Sequence, residues 1–449
     1  MTEPSTLLAS LGAVEADPAA TVAFTSTSDT TPLNLPPPPP EPVSIAAAGL
    51  TDGDVEALVL KSLLHDGAKT GSEIAAHVCL PRRSLTEMLD RLRDELLIAI
   101  RGSSGLHDFC YQLTEAGFAR ARRHAEQCNY SGAAPVPLAA YETAIRRQSI
   151  QHAKLKLKQL HKALGDMCLT PSFVSQVAQA VNDGSGMFLY GSPGNGKTTL
   201  AERVCDAYGQ HIWVPRMIAI GGDLLRLFDP SCHTPATPAV PEGVAYDRRW
   251  VLIRRPTVVV GGELTLAHLD ANYNPASGVS EAPVQLKANG GALLIDDFGR
   301  QQCSSTEILN RLIVPLEKQI DYLHLASGRQ IETPFDLLFI LSTNLEPREL
   351  VDEAFLRRIA YKIEVDDPNE EQFRQLFRAL AARMSYSIEG EVLDHLLDEH
   401  YRAHGRPLRF CHPRDLLRQV RNYCEVHELP KAVTREAIDI AVANYFAGL

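Results

Sequence analysis

The first 49 residues contain neither lysine nor arginine, and nine cysteines in a chain of 449 residues form no C-x-x-C pair. Aromatic residues make up only 6%. No stretch reaches the roughly 18 consecutive apolar residues that span a bilayer. Each absence excludes a class. Cys79, Cys110, Cys128, Cys168, Cys205, Cys232, Cys303, Cys411 and Cys424 are spaced too irregularly for a zinc ribbon or a disulfide ladder. Reduced thiols in a cytoplasmic protein are therefore expected, and Cys232-His233 alone is too little for a metal site. The chain starts with no basic n-region and no apolar h-region, so neither a secretory signal nor a membrane partner is expected. A net charge of −11 excludes a bulk nucleic-acid coater and leaves room for a local basic patch.

What is present is an ordinary globular composition, 45% hydrophobic and 22% charged, long enough for two or three domains. Residues 1–49 are rich in Thr, Ser, Ala and Pro and include the run Pro36 to Pro40. Such a stretch buries too little apolar surface to offset its ordering entropy, so a disordered tail with a short polyproline II piece is expected. At Thr51 the pattern changes. Thr51 and Asp54 make a capping-box pair, and Val55, Leu58, Val59 and Leu63 follow at helical spacing. A second helix is expected at Ser72–Val78. A third follows Pro81, with Leu85, Met88, Leu89, Leu92 and Leu96 on one face. Two β-like runs, Leu97–Arg101 and Phe109–Leu113, are joined by Gly102-Ser103-Ser104-Gly105 as a turn. Thr114-Glu115-Ala116-Gly117 then opens a closing helix. Residues 50–128 resemble a winged-helix domain, an α+β unit. Residues 129–164 read as a linker followed by a basic connector helix, with six Lys and Arg and no acid between Ile145 and Lys162. Such a run is a solvated face or a contact for nucleic acid or an acidic partner.

The residues that carry chemistry lie further on. Apolar runs at Met187–Tyr190, Ala292–Ile295 and Leu337–Leu341 read as buried parallel strands. The first leads into Gly191-Ser192-Pro193-Gly194-Asn195-Gly196-Lys197-Thr198, followed by Thr199 and a helical pattern. This is G-x-x-x-x-G-K-[ST] in its proper setting. Its glycines let backbone N–H groups turn inward around a polyphosphate, at the positive end of a helix. Lys197 reaches the outer phosphates and Thr198 can hold Mg²⁺. The second run ends in Asp296-Asp297, carboxylates suited to holding the ion (Asp296, with Thr198) and polarising a water (Asp297). The third ends in Asn344, placed to orient that water. Arg357 and Arg358 follow, 13 and 14 residues later, and Arg414 opens a helix in the last part of the chain.

In this order, these elements resemble the AAA+ ATPase pattern over about residues 165–449. The resemblance implies ATP and Mg²⁺ as cofactors and a P-loop α/β domain at 165–367 with a C-terminal helical lid at 368–449. It also implies a homo-oligomeric ring, usually of six subunits. By it Asn344 is the first sensor, Arg357 and Arg358 are candidates for an arginine finger acting on a neighbour, and Arg414 is the second sensor. Two departures stand out. Asp297 occupies a place usually held by Glu, one methylene longer. Lys197 and Asp296 lie 99 residues apart, so residues 212–290 form an insertion. The approach to Asp296, EAPVQLKANGGALLIDDFGR, looks like that of MoxR-like ATPases and bacterial enhancer-binding activators. The resemblance supports an ATP-driven remodeller of a protein client, with the winged helix as adaptor. The alternatives are a DNA-associated ATPase or transcription regulator, and a nucleotide-dependent scaffold. The third helix bears four arginines (Arg82, Arg83, Arg91, Arg93) against three acids (Glu87, Asp90, Asp94), a weak phosphate footprint.

Lys197→Ala is expected to abolish ATP binding, because it removes the cation for the outer phosphates. A fluorescent-nucleotide titration checks this, and near-normal affinity would refute the P-loop reading.

Overall fold

The computed structural model describes residues 35–447 except 106, 107, 152, 153, 166, 185, 210, 237–242 and 352. Residues 1–34, most of the expected tail, lie outside the described residues.

Thr51 caps α1 (Asp52–Asp66): its hydroxyl accepts from the Asp54 N–H, and the Asp54 carboxylate accepts from the Thr51 N–H. Then come β1 (Lys69–Thr70), α2 (Gly71–Val78), α3 (Arg82–Asp94), β2 (Ile98–Gly105), β3 (Asp108–Leu113) and α4 (Glu115–Gln127). The three strands form an antiparallel sheet beside a core that includes Val55, Val59, Ile74, Leu85 and Leu89. Two details differ from the sequence reading. Strand β2 runs on through Gly102 to Gly105, shifting register against β3 at Ile100/Gly102 and Ser103/Gly105. The small residues there irregularise the strand and do not reverse it. Leu96 is not on the buried face of α3. It lies past the helix end at φ 58°, 72% exposed, where the chain turns through the left-handed region.

The central part runs β4 (Val136–Pro137), α5 (Leu138–Arg147), α6 (Leu157–Leu164), α7 (Pro171–Asp183), β5 (Met187–Tyr190) and α8 (Lys197–Ala207). Next are β6 (His211–Pro215), β7 (Met217–Ile220), β8 (Asp223–Arg226), β9 (Trp250–Arg254), β10 (Thr257–Val260), β11 (Asn272–Asn274), β12 (Val279–Glu281) and α9 (Val284–Lys287). The series closes with β13 (Ala292–Ile295), α10 (Ser305–Lys318), β14 (Ile320–His324), β15 (Gln330–Pro334), β16 (Leu338–Thr343), α11 (Pro347–Leu350), α12 (Glu353–Arg358) and β17 (Tyr361–Glu364). Last come α13 (Glu370–Arg383), β18 (Ser387–Ile388), α14 (Val392–His395), a π-helix (Leu396–Arg402), α15 (His412–Val426), β19 (Ala432–Val433) and α16 (Arg435–Tyr445).

The main sheet has the order β10-β13-β16-β5-β17, and every pair is parallel. Its inner strands β13, β16 and β5 are mostly apolar because both faces are covered, while the edge strand β17 carries the exposed Lys362 and Glu364. Leu189, Leu294 and Ile340 pack with Val177 of α7 and Leu200 and Val204 of α8. Phe188, Leu293, Ile295 and Phe339 pack on the other side with Ile308 and Leu312 of α10. The insertion is therefore not wholly outside the core, since β10 is an edge strand of this sheet. The rest builds a second sheet, β11-β12-β8-β7-β4, and the β6-β9 ribbon.

The expected linker contributes to that second sheet. Strand β4 pairs parallel with β7, and α5 buries Tyr141 and Ile145, one turn apart, among Ile212, Ile218 and Leu225. The basic run does not form one connector helix. It divides into α5 and α6, with non-helical residues between them. Residues 36–49 also depart from the expected tail. Trp213 Nε1 donates to the Pro36 carbonyl at 3.1 Å, the Asp247 N–H donates to that of Pro39 at 2.9 Å, and Ala48 is buried. A polyproline stretch makes no internal hydrogen bonds, so its carbonyls remain available to such distant donors.

Arg249 holds these parts together. It is 4% exposed, pairs with Asp247 at 2.8 Å, and donates to the carbonyls of Ala48 at 2.8 Å and Pro135 at 2.9 Å. Arg249→Ala leaves a buried carboxylate without its counter-ion and two carbonyls without their donor, and is expected to cost about 3–5 kcal/mol. Urea denaturation checks this; a loss within the ±0.5 kcal/mol typical of surface changes would contradict it.

Candidate nucleotide site

The P-loop runs from the end of β5 to the start of α8. Gly194 and Gly196 have φ of 83° and 80°, backbone that L side chains rarely adopt. A Cβ on Gly194 would meet the Cys411 sulfur at 2.5 Å, so the glycine is also required by the approach of the C-terminal helical unit. Lys197 is 7% exposed. Its ammonium donates to the carbonyls of Gly191 at 2.9 Å and Ser192 at 3.1 Å and to Asn344 Oδ1 at 2.9 Å. Burial lowers its pKa, against the opposing pull of Asp296 and Asp297.

The strand order sets the remaining geometry. Strand β16 lies between β5 and β13, so Asn344 at its end comes between the P-loop and the Asp296-Asp297 pair. The Thr198 hydroxyl donates to Asp296 Oδ2 at 3.0 Å. Asn344 Nδ2 donates to Asp297 Oδ1 at 2.9 Å while its Oδ1 holds Lys197. Asp297, Asn344 and Lys197 thus form one polar line. Asp297 has φ 48°, a conformation that short Asp and Asn side chains tolerate better than longer ones. That gives a local reason for aspartate at this position.

These groups open on a cavity of about 830 Å³. Pro193, Gly194, Gly196, Lys197, Thr198, Thr199, Asp296, Asp297 and Asn344 line it from the α/β side, and Arg414 lines it from the helical side. Gly191, Ser192 and Asn195 complete the loop without lining the cavity. Arg357 faces a different cavity, with Tyr190, Glu346 and Lys362. Arg358 Nε donates to Glu317 at 2.7 Å. Within one chain, neither arginine lines the cavity at Lys197.

Some of the lining escaped the sequence reading. Arg300 follows Asp297 in the chain, and Leu376, Leu380 and Phe410 add an apolar wall from the helical unit. The wider gap concerns Asn195, which the P-loop pattern leaves open to any residue type. It is 2% exposed. Its Nδ2 donates to the carbonyls of Val365 and Asp366, both at 3.3 Å, and to Asp367 Oδ1 at 2.8 Å. Its Oδ1 accepts from the Phe410 N–H at 3.3 Å. Asp367 in turn pairs with Arg409. One side chain joins the P-loop, the end of β17 and the helical unit.

A parallel sheet whose strand passes through this loop into a helix, with hard oxygen donors at the neighbouring strand ends, defines a P-loop nucleotide-binding fold. The donors fit the implied ligands. Thr198 and Asp296 offer the hydroxyl and carboxylate oxygens that Mg²⁺ takes, and the buried Lys197 offers an ammonium to phosphate.

A family model described as a domain of unknown function (DUF8689) matches residues 369–444, the helical unit. No curated protein matches the chain. Among solved structures, the chain is similar to the RuvB Holliday junction branch migration motor of Thermotoga maritima. The identity is 15% over 65% of this chain and 70% of that one, with a TM-score of 0.34. It is also similar to NtrX from Brucella abortus, at 14% identity over 73% and 71% with a TM-score of 0.41. For NtrX in complex with ATP the values are 12%, 73%, 64% and 0.38. Similarity this low carries no residue-level detail to this chain.

Asn195→Ala removes four hydrogen bonds at a buried junction, and an expected loss of about 1–3 kcal/mol follows from the groups left unpaired. Hydrogen exchange should quicken at 365–367 and 409–411 first. Unchanged exchange there would show that the junction is held by other contacts.

Proposed function

We propose that this chain is an AAA+ ATPase, of MoxR-like or chaperone-like type, that couples ATP binding and hydrolysis to remodelling of a protein client or complex. The observation that carries the reading is the convergence on one cavity of Lys197, Thr198, Asp296, Asp297 and Asn344 from the α/β domain with Arg414 from the helical unit. A cavity walled by two units changes shape when either moves, which is what a nucleotide-driven machine requires.

When bound, ATP with Mg²⁺ supplies the phosphoanhydride and neutralises charge on its oxygens. The chain's own residues do the rest. Lys197 exchanges its loop carbonyls for phosphate oxygens. Thr198 would hold the ion, and Asp296 would hold it through water. Asp297 orients a water and takes its proton, and Asn344 fixes the Asp297 carboxylate through the 2.9 Å bond. Arg414 guards the open side.

The amino-terminal unit, residues 50–128, is read as a winged helix that contacts protein. Its α3 arginines are already matched with carboxylates: Arg82 with Asp108 at 3.8 Å, Arg83 with Glu41 at 2.9 Å, Arg91 with Asp52 at 2.5 Å and Arg93 with Asp90 at 3.0 Å. A surface neutralised from within offers little to phosphate, which favours the remodeller over a DNA-binding regulator.

The ring is tested through the arginines. A finger acts on a neighbour's nucleotide, and Arg357, beside an open cavity, is the better placed of the two. Arg357→Ala or Arg358→Ala should keep ATP binding and lower kcat by about 10³- to 10⁵-fold for whichever is the finger. Mixing that variant with Lys197→Ala should restore part of the activity. Turnover per subunit should rise with protein concentration as rings assemble. Turnover independent of concentration down to the monomer would rule out the ring, and with it the finger role of both arginines.

A further inference from the structure

The helical unit contains a winding irregularity with no counterpart in the sequence reading. After α14 the helix continues as a π-helix over Leu396–Arg402. In an α-helix, residues five apart point about 140° away from each other. The i→i+5 winding of a π-helix stacks them, and such turns occur frequently at functional sites. Here the stacked pair is His395 and His400. Both face Asp439, which comes from α16.

The three side chains converge closely. His395 Nε2 and His400 Nε2 lie 2.7 Å and 2.6 Å from the same oxygen, Asp439 Oδ1. The imidazole planes are perpendicular, at 89°, with centroids 5.4 Å apart. One ligand atom from each residue lies within 4.8 Å of the others. The histidines are mostly covered, with side chains 21% and 18% exposed, while Asp439 is 48% exposed. Two nitrogens thus point from the protein toward a carboxylate oxygen at the solvent edge.

We propose that His395, His400 and Asp439 bind a divalent transition-metal ion. Two imidazoles and one carboxylate suit Zn²⁺, Fe²⁺ and Ni²⁺ and do not suit Mg²⁺ or Ca²⁺, which take oxygen ligands. Three protein ligands with an exposed side leave room for water to complete the shell. The ion would tie the π-helix to α16. Tyr401 of the π-helix also bonds His412 Nδ1 at 2.9 Å, and His412 begins α15, the helix that carries Arg414. Occupancy would therefore stiffen the frame that holds Arg414. The assignment does not rest on the nucleotide site.

The test uses the full chain, stripped with a chelator and free of nucleotide. Zn²⁺ is titrated against a chromophoric chelator, and Co²⁺ serves as the spectroscopic probe. The expected result is a single Zn²⁺ equivalent unaffected by excess Mg²⁺. Co²⁺ should show d–d bands without a thiolate charge-transfer band, which separates this site from any formed by the cysteines. His400→Gln and Asp439→Asn should each weaken Zn²⁺ binding at least about 10-fold. Zn²⁺ should raise the melting temperature of the unaltered chain and not of the variants. If one variant fails to fold, His395→Gln and the Co²⁺ spectrum of the unaltered chain still decide the matter. Absence of stoichiometric Zn²⁺ binding, a thiolate spectrum, or wild-type affinity in the variants would overturn the assignment.

Discussion

A single ammonium group organises the candidate site. Lys197 is buried at the first turn of α8, where its charge is costly unless partners surround it. Two loop carbonyls and Asn344 supply them, and Asp297 is joined to the same line through Asn344. The arrangement depends on β16 lying between β5 and β13. With any other neighbour, Asn344 would not bridge the loop and the acids. The apolar strands, the covered sheet faces and the helices packed on them therefore serve to hold three strand ends in register.

The long insertion and the flanking segments are bound to this frame in different ways. Strand β10 joins the main sheet directly, through a parallel ladder with β13. The second sheet is tied in by Tyr141 and Asn289, whose side chains meet at 2.9 Å. The proline run lies against the ribbon near Trp213 and Tyr246, rings 5.2 Å apart. Arg249 and Asp247 join the last two to the segment that leads into α1. The bonds from Asn289, Trp213 and Arg249 are long-range polar contacts, made by side chains to segments far apart in the chain.

That difference explains what the sequence made legible. A P-loop is contiguous, and its function depends on backbone, so eight residues identify it. The capping box at Thr51 is equally local. The buried strands announce themselves by unbroken apolar runs. By contrast, α5 has only Tyr141 and Ile145 on its buried face, too few to distinguish it from a connector. Pro36 to Pro40 have the composition of a free tail and are ordered by donors nearly two hundred positions away. The role of Asn195 depends on Val365 to Asp367 and on Phe410, none of them near it in the chain. The π-helix leaves no periodic trace, and its partners His412 and Asp439 lie further along the chain. Asp297 was visible as a departure, but its reason, a positive φ, was not.

The junction at Asn195 has a thermodynamic consequence. Because the Asn195 side chain, itself part of the 191–198 loop, bonds to the helical unit through Phe410, the two cannot rearrange independently. Any coupling between them is reciprocal. If bound nucleotide favours one setting of the helices by some factor, then a partner that selects that setting tightens nucleotide binding by the same factor. A protein that grips only the helical unit, far from Lys197, would then act on the nucleotide as surely as the nucleotide acts on it.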